Sequence, residues 1–183
     1  MIAVCPALFA LLLAAPAPSS AVVGSKTDLD GDGASDRVRL ERREKDLWLV
    51  VERSSGGKAE RLIGDAEIAF QLDGRDSTLV VKDVTGDGVA EVVVAATSAQ
   101  RGFLYVLRLE GTSLRSLHPD AEAFVSETGS FPAALAIAST GRVTIASLEH
   151  SEEAGPREAL FTFEWNPKAK GYRLTATDLA EDD

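Results

Sequence analysis

Two nine-residue stretches, Asp28-Leu29-Asp30-Gly31-Asp32-Gly33-Ala34-Ser35-Asp36 and Asp83-Val84-Thr85-Gly86-Asp87-Gly88-Val89-Ala90-Glu91, lie 55 residues apart and follow one pattern. Both carry oxygen-bearing side chains at positions 1, 3, 5 and 9 and glycines at positions 4 and 6. The same displacement relates Asp65-Ala66-Glu67 to Asp120-Ala121-Glu122. Around these anchors the apolar runs recur in order: RVRLER (37–42), EVVVAA (91–96) and RVTIAS (142–147), then LWLVVER (47–53), FLYVLRL (103–109) and ALFTFEW (159–165). Short alternating or continuous apolar runs of this length, separated by SSGGK, EGTS and NPKAKG, read as β-strands joined by tight turns. A shorter run follows each turn (AERLIG, LRSLHP, GYRLTAT), and AVVGSK (21–26), STLVVK (77–82) and AALAIA (133–138) precede each set.

The unit is therefore four strands in about 55 residues, present three times over residues about 22–72, 73–128 and 129–183. Evenly spaced four-stranded units are the mark of propeller blades. The expectation is an all-β chain of three four-stranded antiparallel repeats, a partial or oligomer-completed β-propeller. A twelve-stranded β-sandwich is the alternative, because propellers usually have four to eight blades.

The acidic loops point to a metal. Calcium takes six to eight oxygens in a flexible shell, and alternating carboxylates in a tight turn supply them. Gly31 and Gly33 permit the positive φ that wraps a backbone round an ion, and the Ala34 carbonyl at position 7 can add a ligand. Without an ion, carboxylates ~5 Å apart repel by ~1 kcal/mol per pair in water and ~3 kcal/mol at an effective dielectric near 20. The second loop has Thr85 for one Asp and Glu91 for another, so fewer charges predict a weaker site than the first. The third unit has only Ser139-Thr140-Gly141-Arg142 at this place and should be metal-free. An EF-hand is excluded, since its bidentate Glu at position 12 is Arg39 or Val94 here, inside strand-like runs.

DLDGDGASD and DVTGDGVAE, each set between two short strands of a four-stranded unit, resemble the FG-GAP repeats of integrin α-subunit propellers and the related bacterial VCBS-type repeats. The resemblance implies two calcium ions. Their ligands would be Asp28, Asp30, Asp32 and Asp36 with the Ala34 carbonyl, and Asp83, Thr85, Asp87 and Glu91 with the Val89 carbonyl. It covers the two loops and, through the repeat pattern, residues 22–183; the Phe-Gly and Gly-Ala-Pro elements that name the family are missing.

Residues 2–15 (IAVCPALFALLLAA) are apolar, and no charge appears before Lys26. Such a run is too short to span a ~30 Å hydrocarbon core but suits a signal peptide, with cleavage expected after Ala21 behind Ser19 and Ser20. The expectation is export, secreted or periplasmic, although no Lys or Arg precedes the run. Cleavage would remove Cys5, the only cysteine of the 183 residues.

Formal charge is −10, with 29 Asp and Glu against 19 Lys and Arg. No basic stretch exists to neutralise phosphates, which argues against a nucleic-acid partner. One Cys and two His exclude a Cys/His zinc site, a CxxC redox centre and a thiol nucleophile with a His base. There is no GxSxG elbow and no phosphate-binding GxxxxGK[ST]. His118 and His150 are expected at the surface, and Trp48, Trp165 and Tyr105 in the core. The function expected is non-catalytic: a calcium-stabilised surface for an unknown protein or glycan, with a homodimer as one way to complete the ring. A carbohydrate-active or hydrolytic enzyme on the same scaffold is the alternative, though no carboxylate pair stands out in the spacing.

Overall fold

The computed structural model describes residues 20–44, 46–64, 78–97, 101–127, 141–151 and 155–179. Among them there is no helix, and the strands form three antiparallel sheets of four, five and three strands, none closed into a barrel. Sheet one is the meander β1 (Ser20–Thr27), β2 (Asp36–Arg43), β3 (Asp46–Glu52) and β4 (Lys58–Gly64). Sheet two holds β5 (Thr78–Lys82), β6 (Glu91–Thr97), β7 (Gly102–Glu110), β8 (Ser113–Ser116) and β9 (Phe124–Ser126). Sheet three holds β10 (Arg142–Ser151), β11 (Gly155–Asn166) and β12 (Gly171–Leu179). Residues 1–19 of the expected signal peptide and the run at 133–138 lie outside the described residues. Ser20 and Ala21, placed before the expected cleavage point, belong to β1 and pair with Arg42 and Glu41.

Sheets one and two share a strand register. Thr27 pairs with Asp36 and Arg37 with Glu52 in sheet one; Lys82 pairs with Glu91 and Val92 with Leu107 in sheet two. Each pairing is the other displaced by 55 residues. The units part company after the third strand. β4 follows β3 along its length, whereas the edge of β7 is shared, β8 taking Leu107–Glu110 and β9 taking Gly102–Leu104. The expected strand at 114–119 stops at Ser116 because Pro119 has no N–H to donate and restricts the residue before it.

The sheets pack face to face in chain order through two apolar clusters. Val38, Leu40, Leu49 and Val51 of sheet one meet Val92, Val94, Tyr105 and Leu107 of sheet two. From the opposite face of sheet two, Val93, Leu104, Val106 and Phe124 meet Val143, Ile145 and Tyr172 of sheet three. Side chains alternate between faces along a strand, so a sheet buried on both sides needs apolar residues at every position. That is why β6 reads EVVVAA while β2, with one face outward, alternates as RVRLER.

Candidate metal centre

The acidic loops join the first two strands of sheets one and two, and each is pinned by its second residue. Leu29 is buried in the cluster between sheets one and two, Val84 in that between sheets two and three. In the first loop one carboxylate organises the turn: Asp28 accepts hydrogen bonds from Gly31 N at 2.7 Å and Gly33 N at 2.9 Å. Asp83 does the same for Gly86 N at 2.7 Å and Gly88 N at 2.8 Å. Both turns need their glycines, whose φ values of 78° and 86° in the first loop and 76° and 85° in the second suit no β-carbon. The last carboxylate closes each loop, Asp36 accepting from Leu29 N at 2.8 Å and Glu91 from Val84 N at 2.9 Å.

Within the first loop, Asp28, Asp30 and Asp36 each bring a carboxylate oxygen within 4.8 Å of the others. Oxygens bound to calcium at ~2.3–2.6 Å lie no more than ~5 Å apart across the ion, so the separation fits one shell. Among the described residues no Lys or Arg forms an ion pair with these three. The second oxygen of Asp36 accepts from Ser54 N at 2.9 Å, tying the loop to the turn after β3. Asp32 accepts instead from Ala34 N and Ser54 Oγ, both at 2.8 Å, and stands outside the convergent set. Those bonds, backbone first, hold its carboxyl below the usual range. Ala34 is exposed at the loop tip.

The second loop has the same backbone and different electrostatics. Arg108, on β7 and 8 % exposed, crosses it: Nε donates to Glu91 Oε1 at 3.0 Å, Nη2 to that oxygen and to Thr85 Oγ1 at 3.1 Å, and Nη1 pairs with Asp87 Oδ2 at 2.9 Å. Its guanidinium lies 5.0 Å from the centre of the Trp165 ring of sheet three, at cation–π range. Burial pushes the carboxyl of Glu91 upward, and the Arg108 bonds oppose that without cancelling it. For Asp87 burial also pushes upward, but the Arg108 bond and the Val89 amide prevail and the net shift is down. Thus Thr85, Asp87 and Glu91 all serve one guanidinium, Asp83 serves the turn, and Val89 is 39 % exposed at the tip.

Arg108 is displaced by 55 residues from Arg53, and Glu91 from Asp36, yet Arg53 forms no ion pair with the first loop among the described residues, although it lines the hollow beside Asp28 and Asp30. It leans over Gly57, where its Nη2 would stand 2.6 Å from a β-carbon, and its Nε is buried without a partner. In sheet three the equivalent pair has exchanged sign: Arg142 is the register partner of Glu164 and binds it at 2.8 Å. The 55-residue displacement matches Arg53 with Arg108 and Asp36 with Glu91, but it does not by itself place an arginine against a carboxylate.

Two concavities flank this region. One of about 350 Å³ lies between the loops and is lined by Asp28, Asp30, Arg53, Val89 and Leu109 among others. The other, about 280 Å³, opens between sheets two and three against His118, Phe124, Phe161 and Phe163, with no carboxylate among its lining residues. His118 is half-buried rather than at the surface. Its Nδ1 accepts from Asp120 N at 3.1 Å and Ala121 N at 2.9 Å, and its ring packs 4.6 Å from Phe124. His150 belongs to β10. Tyr105 is buried, while Trp48 and Trp165 are partly so.

The class these features define is an all-β stack of sheets with acidic inter-strand loops. Compared with protein-family models, curated proteins and solved structures, the chain matches none.

Proposed function

We propose that this chain is an exported, calcium-stabilised β-repeat scaffold of FG-GAP and VCBS type, which acts by presenting a rigid surface to a protein or glycan rather than by catalysis. The observation that carries the reading is the convergence of Asp28, Asp30 and Asp36 oxygens within 4.8 Å at the β1–β2 connection. Bound there, calcium would offset two of the three negative charges and, through Asp36, hold the loop to the Ser54 turn. Three antiparallel sheets stacked in chain order support reading them as consecutive blades of an open ring. The apolar run at 2–15 supports export.

The test is thermal unfolding of the full chain with calcium and with chelator, beside Asp30→Ala. Asp30 is exposed and accepts only the Asp32 amide, at 3.2 Å, so that variant keeps the fold while losing a ligand oxygen and its charge. Calcium at a hundred times its dissociation constant should add ~2.7 kcal/mol to the unmodified chain and much less to D30A. Equal melting temperatures in calcium and in chelator would overturn the reading.

A further inference from the structure

We propose that Arg108 is the resident cation of the second acidic loop, so that the protein takes one calcium ion per chain where the two loops taken alone predict two. The inference rests on calcium binding in the first loop. It is carried by a difference between two loops of one backbone, with equal turns, equal glycine conformations and equal closing bonds.

In the first loop three carboxylates converge, and Arg53, which lines the hollow beside Asp28 and Asp30, forms no ion pair with them among the described residues. In the second, the equivalent arginine spends all three guanidinium nitrogens on the residues that would ligate: Glu91, Thr85 and Asp87. A divalent ion there would have to expel a buried guanidinium from a fully buried carboxylate, and it would meet like charge until it had done so. The surroundings oppose that movement. Trp165 lies over the guanidinium, and a β-carbon on Gly141, whose O accepts from Trp165 N at 2.9 Å, would be 3.1 Å from Trp165 Cβ and 3.4 Å from Thr85 O. Sheet three thus packs against both the guanidinium and the backbone of the loop it crosses. Tyr172, 2 % exposed with its hydroxyl buried and unpartnered, packs 5.8 Å from Trp165 beneath the same cluster. Burial, chiefly, and then the Glu91 charge push that phenol's pKa upward, with Arg108 opposing. The arrangement fits a charge clamp between sheets two and three, performed in sheet one by an exchangeable ion.

Titration calorimetry with calcium on the full chain and four variants tests this, with terbium as a luminescent substitute excited through tryptophan. The unmodified chain should take one ion, Asp30→Ala none, and Glu91→Gln one, the last with a lowered melting temperature. In D30A/R108Q one ion should return, and terbium bound there should emit on excitation of Trp165, the signal falling when Trp165→Phe is added. Two ions on the unmodified chain, one ion on D30A alone, or loss of an ion in E91Q would each overturn the assignment. So would a folded D30A/R108Q that takes none. Should that variant fail to fold, the E91Q count still decides. No ion on the unmodified chain, with one on D30A/R108Q, would sink calcium binding by the first loop and leave Arg108's role standing.

Discussion

A buried carboxylate closes each loop, and what faces it decides the chemistry. Asp36 satisfies two backbone amides and leaves oxygen toward Asp28 and Asp30, whereas Glu91, one methylene longer, reaches Arg108 as well as Val84 N. His118 shows the same dependence on surroundings. Burial, chiefly, lowers its pKa below 6.5, with Asp120 pulling weakly the other way, and its Nδ1 can accept two amides only while unprotonated. For a base whose folded pKa is depressed, the unfolded chain takes up the proton first. Stability is then full above about pH 6.5 and falls as pH drops through and below that value. Urea unfolding between pH 7.5 and 5.5 should show this slope, and His118→Asn, which keeps an acceptor without titrating there, should flatten it. An unchanged slope in H118N would remove His118 from the account.

Sheet one displays on its outward face a ladder of alternating charge, Arg39, Glu41, Arg43, Glu60 and Lys58, with Glu52 beyond Arg39. The Arg43 hydrogen bond, then that of Lys58, lowers the Glu60 carboxyl to about 2. A carboxylate with a depressed folded pKa stabilises above its unfolded value, near 4.3, and loses that contribution as pH falls toward 2. Glu60→Gln should cost about 0.2–1 kcal/mol at pH 6 and nothing by pH 2, read from urea midpoints at the two pH values. A constant cost would mean that the side chain matters for packing rather than charge. At this scale the sequence was largely legible, because strands announce themselves through alternation and loops through Asp and Gly at fixed positions. The outward ladder follows from period-two alternation, and the double burial of β6 from an unbroken apolar run. β9 escaped notice since three residues, Phe124–Ser126, are too few to show a period. Arg108 escaped because it stands in FLYVLRL among core residues, 17 positions from Glu91; only strand register brings the two together.

Across the whole molecule, sheet two is the shared element. Its two faces feed different clusters, so neither outer sheet keeps its apolar face covered unless sheet two is in place. Hydrogen bonds cross the same boundaries: Tyr105 Oη donates to Ile63 O of sheet one, and Tyr172 N of sheet three to Leu117 O at 2.9 Å. Losing either interface would expose apolar surface worth ~25 cal/mol per Å², so the three sheets should unfold together. Trp48 in sheet one and Trp165 in sheet three report the two ends. In W165F and W48F chains, each retaining one tryptophan, the fluorescence transition should coincide with the loss of β-structure by circular dichroism. Leu107→Ala, a truncation at a fully buried site in the first cluster, should lower stability by about 2–5 kcal/mol and move the Trp165 signal as far as the Trp48 signal, although Trp165 lies beyond the far face of the sheet that changed. Calcium should likewise raise both signals in parallel, although the proposed ion touches only sheet one. Separate midpoints for the two tryptophans would show instead that the sheets fold as independent repeats, each stabilised mainly by its own loop.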